Sequence, residues 1–252
     1  MSSKLRDSVE VNEALRAVQY RPLLLGDDAV STSNCYGFAC GDSRNWTAWA
    51  KPQPGQAVLG GGCEENPDLS RLTTASDQGT RIMAAAAADG LVPAGSDPLR
   101  ALRNLPASHR LVLFYTEAGN GADYHWVRLD RDLDGALIAS HKVGEAPVVS
   151  TPVQSLRHLL ETTTFGPPDS DLGRYEFRAF FYVPDGLNVG IDAFLERNGF
   201  IPPNLRGEDL FFAVEAYEAG RLGQKWAELK GVNGWQPPEG PAPSPQRSRR
   251  QE

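Results

Sequence analysis

The chain has 252 residues and a net charge of −7; 40% of its residues are hydrophobic and 9% aromatic. That length and apolar content support one substantial core with appendages and argue against wholesale disorder. The acidic balance excludes a nucleic-acid-binding surface, which needs a basic face; the basic run "QRSRR" near the end reads as a solvated tail.

The opening segment holds no apolar run long enough for a signal peptide or a membrane span, so a soluble chain is expected. Three cysteines make no disulfide framework, and cytoplasmic residence with reduced thiols is the simplest reading. Export by a machine that reads something other than a cleaved signal stays open. "VEVNEALRAVQY" reads as a short amphipathic helix within an N-terminal extension, residues 1–27. The cluster "STSN" before Cys35 is a helix-start signal, and Gly41 stands where a short helix from Cys35 would stop. After the loop "KPQPGQAVLGGG", the stretch "PDLSRLTTASDQGTRIMAAAAADGL" predicts a longer helix ending at Asp89-Gly90.

The texture then changes. Segments 109–119, 122–132 and 135–144 are rich in β-branched and aromatic residues with turn residues between them, and 174–184 is similar; they predict antiparallel strands. Segment 186–235 turns helical again and is expected to pack on the core. Residues 236–252, rich in proline, are expected to be disordered. Helices first, a meandering sheet in the middle and helices last is an α+β pattern.

Cys35 falls in the first turn of its predicted helix, where unpaired backbone N–H groups favour a thiolate and can bind an oxyanion. Asn34 and Tyr36 flank it as candidate oxyanion or positioning residues. A base must come from four histidines. His125 begins one predicted strand and His141 ends the next. If Asp130 pairs with Ala136 across the turn, His125 and His141 become direct cross-strand partners, with Cβ atoms about 5 Å apart. That arrangement suits a base and the group that orients it. An exposed histidine pair or half a metal site would look the same. Cys35, Cys40, Cys63 and a histidine are zinc-type ligands, but their spacing is not that of a zinc knuckle, and no metal is expected. Cys40 lies on another face and is expected in the core. His109 and His158 have no suggestive neighbours. Motifs for nucleotide cofactors, phosphate loops and zinc peptidases are missing from the sequence, so no cofactor is expected.

Cysteine on an early helix, histidine at a strand start and a polar residue on the following strand resemble the papain-like cysteine peptidase superfamily, and most closely its NlpC/P60-type branch. The matching residues are Cys35 in "NCYGFA", His125 in "DYHWVRLD" and His141 in "SHKVG", with "KPQPG" similar to the Pro-Gly step after the nucleophile helix. Asn34 and Tyr36 stand where cell-wall hydrolases carry the aspartate and serine of "DCSG", and Ala29 stands where papain has its glutamine. The resemblance implies a papain-like catalytic domain over residues 28–185, N-terminal helices packed on a central antiparallel sheet, and a thiol hydrolase using a Cys-His-His triad. It implies a peptide, protein or peptidoglycan-like substrate. A toxin or secreted effector with an inhibitor or immunity partner is one setting for such an enzyme. The competing expectation is a non-catalytic binding module of the same fold, with "LFFAVEAY" and Trp226 as its docking surface; the same residues also read as ordinary core.

Overall fold

The computed structural model describes residues 13–18, 33–42, 51–61, 72–118, 123–132, 134–144, 146–153, 160, 163–164 and 174–245. Within these residues the chain is α+β, built on an antiparallel seven-stranded sheet. The strands are β1 (Val92–Gly95), β2 (His109–Glu117), β3 (Tyr124–Arg131), β4 (Leu137–Lys142), β5 (Val148–Pro152), β6 (Thr163–Thr164) and β7 (Arg174–Pro184). Their order across the sheet is β1-β7-β2-β3-β4-β5, with β6 paired to the start of β7.

Alternation along the strands divides the core into two layers. Val112 and Phe114 of β2, Tyr124 and Trp126 of β3 and Phe181 of β7 face one cluster. Leu111, Leu113 and Tyr115, with Val127, Leu129, Phe180 and Tyr182, face the other. Helix α1 (Cys35–Cys40) and helix α3 (Gln78–Asp89) cover the first face. Helix α4 (Pro98–Arg103) and residues 14–18 cover the second. The helix expected from Pro67 starts at Gln78 in its described part, because Asp77 caps it by accepting from Thr80 N at 3.0 Å.

The C-terminal segment forms α5 (Ile191–Arg197), α6 (Gly207–Glu218) and α7 (Leu222–Leu229) around a third cluster that includes Leu195, Val214, Tyr217 and Trp226. Leu210, Ala213, Val214, Tyr217 and Trp226 are therefore core, whereas Phe211 and Phe212 of the same stretch are exposed. These helices sit against helix α2 (Gln56–Leu59) and its flanks: Tyr217 Oη donates to Gly60 O at 3.0 Å, and Arg197 Nη1 to Ala57 O at 3.4 Å. Residues 236–245 differ from the disordered tail that their composition suggests. Ala242 finds an apolar partner in the third cluster and packs on Gly223 of α7.

Gly60 is the tightest point of this junction. It adopts φ +75°, and a Cβ there would stand 2.8 Å from the Phe194 ring. Gly60→Ala is expected to cost about 2 kcal/mol or more, from left-handed strain and the displaced ring. Chemical denaturation would read it, and an unchanged midpoint would contradict the tight junction.

Candidate functional site

Helix α1 is short and fixed at both ends. Asn34 has extended backbone angles and caps it, with Oδ1 accepting from Gly37 N at 2.8 Å. Its Nδ2 donates to Pro52 O at 2.7 Å, tying the helix start to the Pro-Gly loop. Gly41 closes the helix at φ 79°. Cys35 is the first helical residue and is half-buried. Tyr36 packs its ring 5.3 Å from that of Trp126, and Phe38 lies 5.1 Å from the Arg128 guanidinium carbon. The helix therefore runs in the direction of β3, and its first turn lies over the start of that strand.

Asn34 and Tyr36 both hold this helix in position. Both polar ends of Asn34 are engaged in the cap and the Pro52 bond. Tyr36 is fully buried, and its hydroxyl donates to Asp89 Oδ2 at 2.8 Å. Cys40 is buried in the first cluster, and burial pushes its thiol well above the usual range, with Asp89 and Asp42 adding to the effect. Such a thiol is inert.

His125 and His141 meet, in a register that differs from the expected one. Val127 is the partner of His141, and Asp130 pairs with Ile138 rather than Ala136. The turn is longer because Asp132 closes it: Asp132 N donates to Ala136 O at 2.9 Å, and its Oδ1 accepts from Ala136 N at 2.7 Å. The shift is two positions, so both side chains stay on one face as diagonal neighbours. The rings lie 5.0 Å apart, inclined at 80°, with His125 Nε2 and His141 Nδ1 3.0 Å apart. His125 is buried, and desolvation, with the charge of His141 as a smaller cause, holds its pKa well below the usual value. Burial also lowers the pKa of His141.

The structure thus brings the two histidines into contact and carries Cys35 to the same end of β3. On that strand Tyr124 and Trp126 face the cluster under α1, whereas His125 stands on the side of Val127 and Leu129. Thiol and imidazole flank the start of the strand from its two sides.

Tyr175, near the start of β7, lies beside the imidazole. Its ring lies 6.0 Å from His125, and its hydroxyl donates to Asp123 Oδ2. Burial, the bond to Asp123 and the negative charges of Asp123, Cys35 and Glu117 all raise its pKa. Asp123 Oδ1 in turn accepts from Tyr124 N at 2.7 Å, and Asp123 O from Glu117 N at 2.8 Å. Sequence reasoning missed Tyr175 and Asp123. The signal in reach was the polar pair "DY" immediately before His125.

Asp89 was also missed as a structural residue. It lies 1% exposed at the end of α3 and accepts from Tyr36 Oη, from Gly55 N at 2.7 Å and from Ala57 N at 3.0 Å. It joins α1, α3 and the Pro-Gly loop in one knot.

His109 opens β2 beside Ser108, with its Nδ1 3.2 Å from the serine Oγ. Ala29, Cys63 and His158 lie outside the described residues. Among the described residues no three His, Cys, Asp or Glu side chains gather as a metal site, and no helix is long and apolar enough to cross a membrane. No family model, curated protein or solved structure matches the chain.

Proposed function

We propose that the chain is a thiol hydrolase of papain-like type, with Cys35 as nucleophile, His125 as base and His141 as the group that orients it. The observation that supports this reading is the 3.0 Å bond between His125 Nε2 and His141 Nδ1, at the end of β3 where α1 begins with Cys35 on the other side of the strand. With Nε2 committed to His141, proton transfer to and from the thiol runs through Nδ1. A base needs an unprotonated Nδ1, so His125 must carry its proton on Nε2 and donate it to His141 Nδ1. The lowered pKa values of both rings keep them neutral, and so ready for this arrangement, to below the usual pH 6.5.

This transfer requires the thiol and Nδ1, which flank the start of β3 from its two sides, to meet past the first residues of that strand; there the thiol gives its proton to Nδ1 as sulfur attacks an amide or ester carbonyl. The imidazolium then protonates the leaving amine or alcohol. Water, losing its proton to the same nitrogen, releases the acyl group. Peptide, protein and peptidoglycan-like amides fit this chemistry, and a toxin or effector restrained by an immunity protein fits the resemblance.

The test is alkylation of Cys35 by iodoacetamide, followed by mass spectrometry from pH 4 to 9. Wild-type labelling should persist at pH 6 and fall only at lower pH, where protonation of His141 forces its Nδ1 to become a donor and turns the tautomer of His125. His125→Ala should slow labelling at neutral pH by about 100-fold. His141→Asn, whose amide oxygen can accept from Nε2, should retain most of the rate, and His141→Ala should not. Equal labelling of wild type and His125→Ala would leave Cys35 merely exposed and end the proposal.

A further inference from the structure

The His125 ring has two neighbours of different kinds. His141 takes one nitrogen, while Tyr175 sets a tilted aromatic ring 6.0 Å away that is itself tethered. The tether runs from the Tyr175 hydroxyl to Asp123 Oδ2, and from Asp123 back to Tyr124 N, one residue before His125. The main chain of Asp123 is held as well, through Glu117 N on β2. Tyr175 lies opposite Glu117 in the β2–β7 register and opposite Thr163 of β6. One side chain on β7 therefore fixes the first residues of β3, two strands away, and walls the imidazole those residues carry.

We propose that Tyr175, tethered by Asp123, is a positioning residue that holds the His125 ring in the orientation and tautomer a base requires. The inference rests on the reading of His125 as the base. Among the described residues, the titratable groups around that ring are His141 on β4, Tyr115 directly across on β2, Tyr175 with Asp123 at the strand start, and the Cys35 thiol at that start from the other side of β3. Tyr115 is fully buried and its ring packs on Phe177, so it forms part of the wall. Tyr175 alone of these neighbours links the ring to the backbone that carries it. Its phenol stays protonated, since burial and three nearby negative groups oppose ionisation, so the Tyr175 hydroxyl remains the donor of the tether to Asp123. Such a bond rigidifies a site without taking part in the proton transfer, as a supporting shell does for a reacting group.

The test uses the full chain, labelled with nitrogen-15. Ring nitrogen shifts report the tautomer of His125, with its signals assigned by their loss in His125→Ala. Wild type should show the Nε2–H form. Tyr175→Leu removes wall and tether; it should give mixed tautomers and move the acid midpoint of Cys35 alkylation upward by about half a pH unit or more, as water reaches the ring. Tyr175→Phe keeps the wall and loses the tether. It should preserve the tautomer yet still raise the midpoint, because the untied strand start lets water reach the imidazole. A folded Tyr175→Leu protein with wild-type tautomer and wild-type pH profile would overturn the inference. If the leucine variant does not fold, Tyr175→Phe decides, and an unchanged midpoint there overturns it equally. The hydrolase reading fails separately, through equal alkylation of wild type and His125→Ala, while the tautomer signature still decides the role of Tyr175.

Discussion

Cys35→Ala is expected to abolish turnover, by at least about a thousandfold on any amide or ester the protein hydrolyses, while leaving the fold intact. The loss is large because no other described side chain could replace the sulfur: Cys40 is the other free thiol among the described residues, and it is buried. Stability should hardly change, since Cys35 is half-buried at a helix start whose cap comes from Asn34. Cys40→Ala should behave in the opposite way. It leaves turnover and labelling alone and costs about 1–2 kcal/mol, as a small cavity opens in the first cluster. Turnover on a panel of peptide and ester substrates, read beside thermal melting of both variants, checks the pair. Turnover that survives in Cys35→Ala removes the hydrolase reading altogether.

Asp89→Ala is expected to destabilise the protein by about 3–5 kcal/mol, the largest effect of any single change discussed. Three donors from two other segments converge on this carboxylate: the Tyr36 hydroxyl and the N–H groups of Gly55 and Ala57. Removing it strands them in a dry interior, at about 1–3 kcal/mol for each donor left unpaired. Asp89 also ties stability to pH. Burial raises its pKa from 3.8 to about 7 against the lowering effect of its three donors. A carboxyl whose folded pKa is raised contributes stability that is complete below the unfolded value and is lost as pH rises through about 7. Wild type should therefore lose stability between pH 4 and 7 more steeply than Asp89→Asn, whose amide does not titrate there. Urea unfolding at several pH values measures it, and parallel slopes for the two proteins would reject the assignment.

Much of the architecture could be read from local pattern. Strands β2, β3, β4 and β7 announce themselves because each is long and carries β-branched or aromatic residues between turn signals, and α1 because Asn34 and Gly41 punctuate it. Strand β1 carries a proline, and β5 is almost wholly exposed, so neither shows the alternation that marks a half-buried strand. The histidine pair was legible as a pair on one face, though not in register, because Asp132 rather than the strand residues sets the turn. The supports of the site were hidden for a different reason. Tyr36 meets Asp89 across 53 positions and Asp123 meets Tyr175 across 52, and beyond the "DY" before His125 no sequence neighbour marks these pairs. A carboxylate that closes a helix looks, in sequence, like any surface aspartate.

The turn at residues 132–136 has a consequence for how such a chain can vary in length. Because successive strand residues point to opposite faces, deleting or inserting an even number of residues there slides β4 along β3 and keeps position 141 on the face of His125. An odd change turns every β4 side chain over, sending His141 to the face where Lys142 is buried and bringing Lys142 into its place. Parity in this one loop, more than its composition, therefore governs which length variants of the protein could retain a paired imidazole.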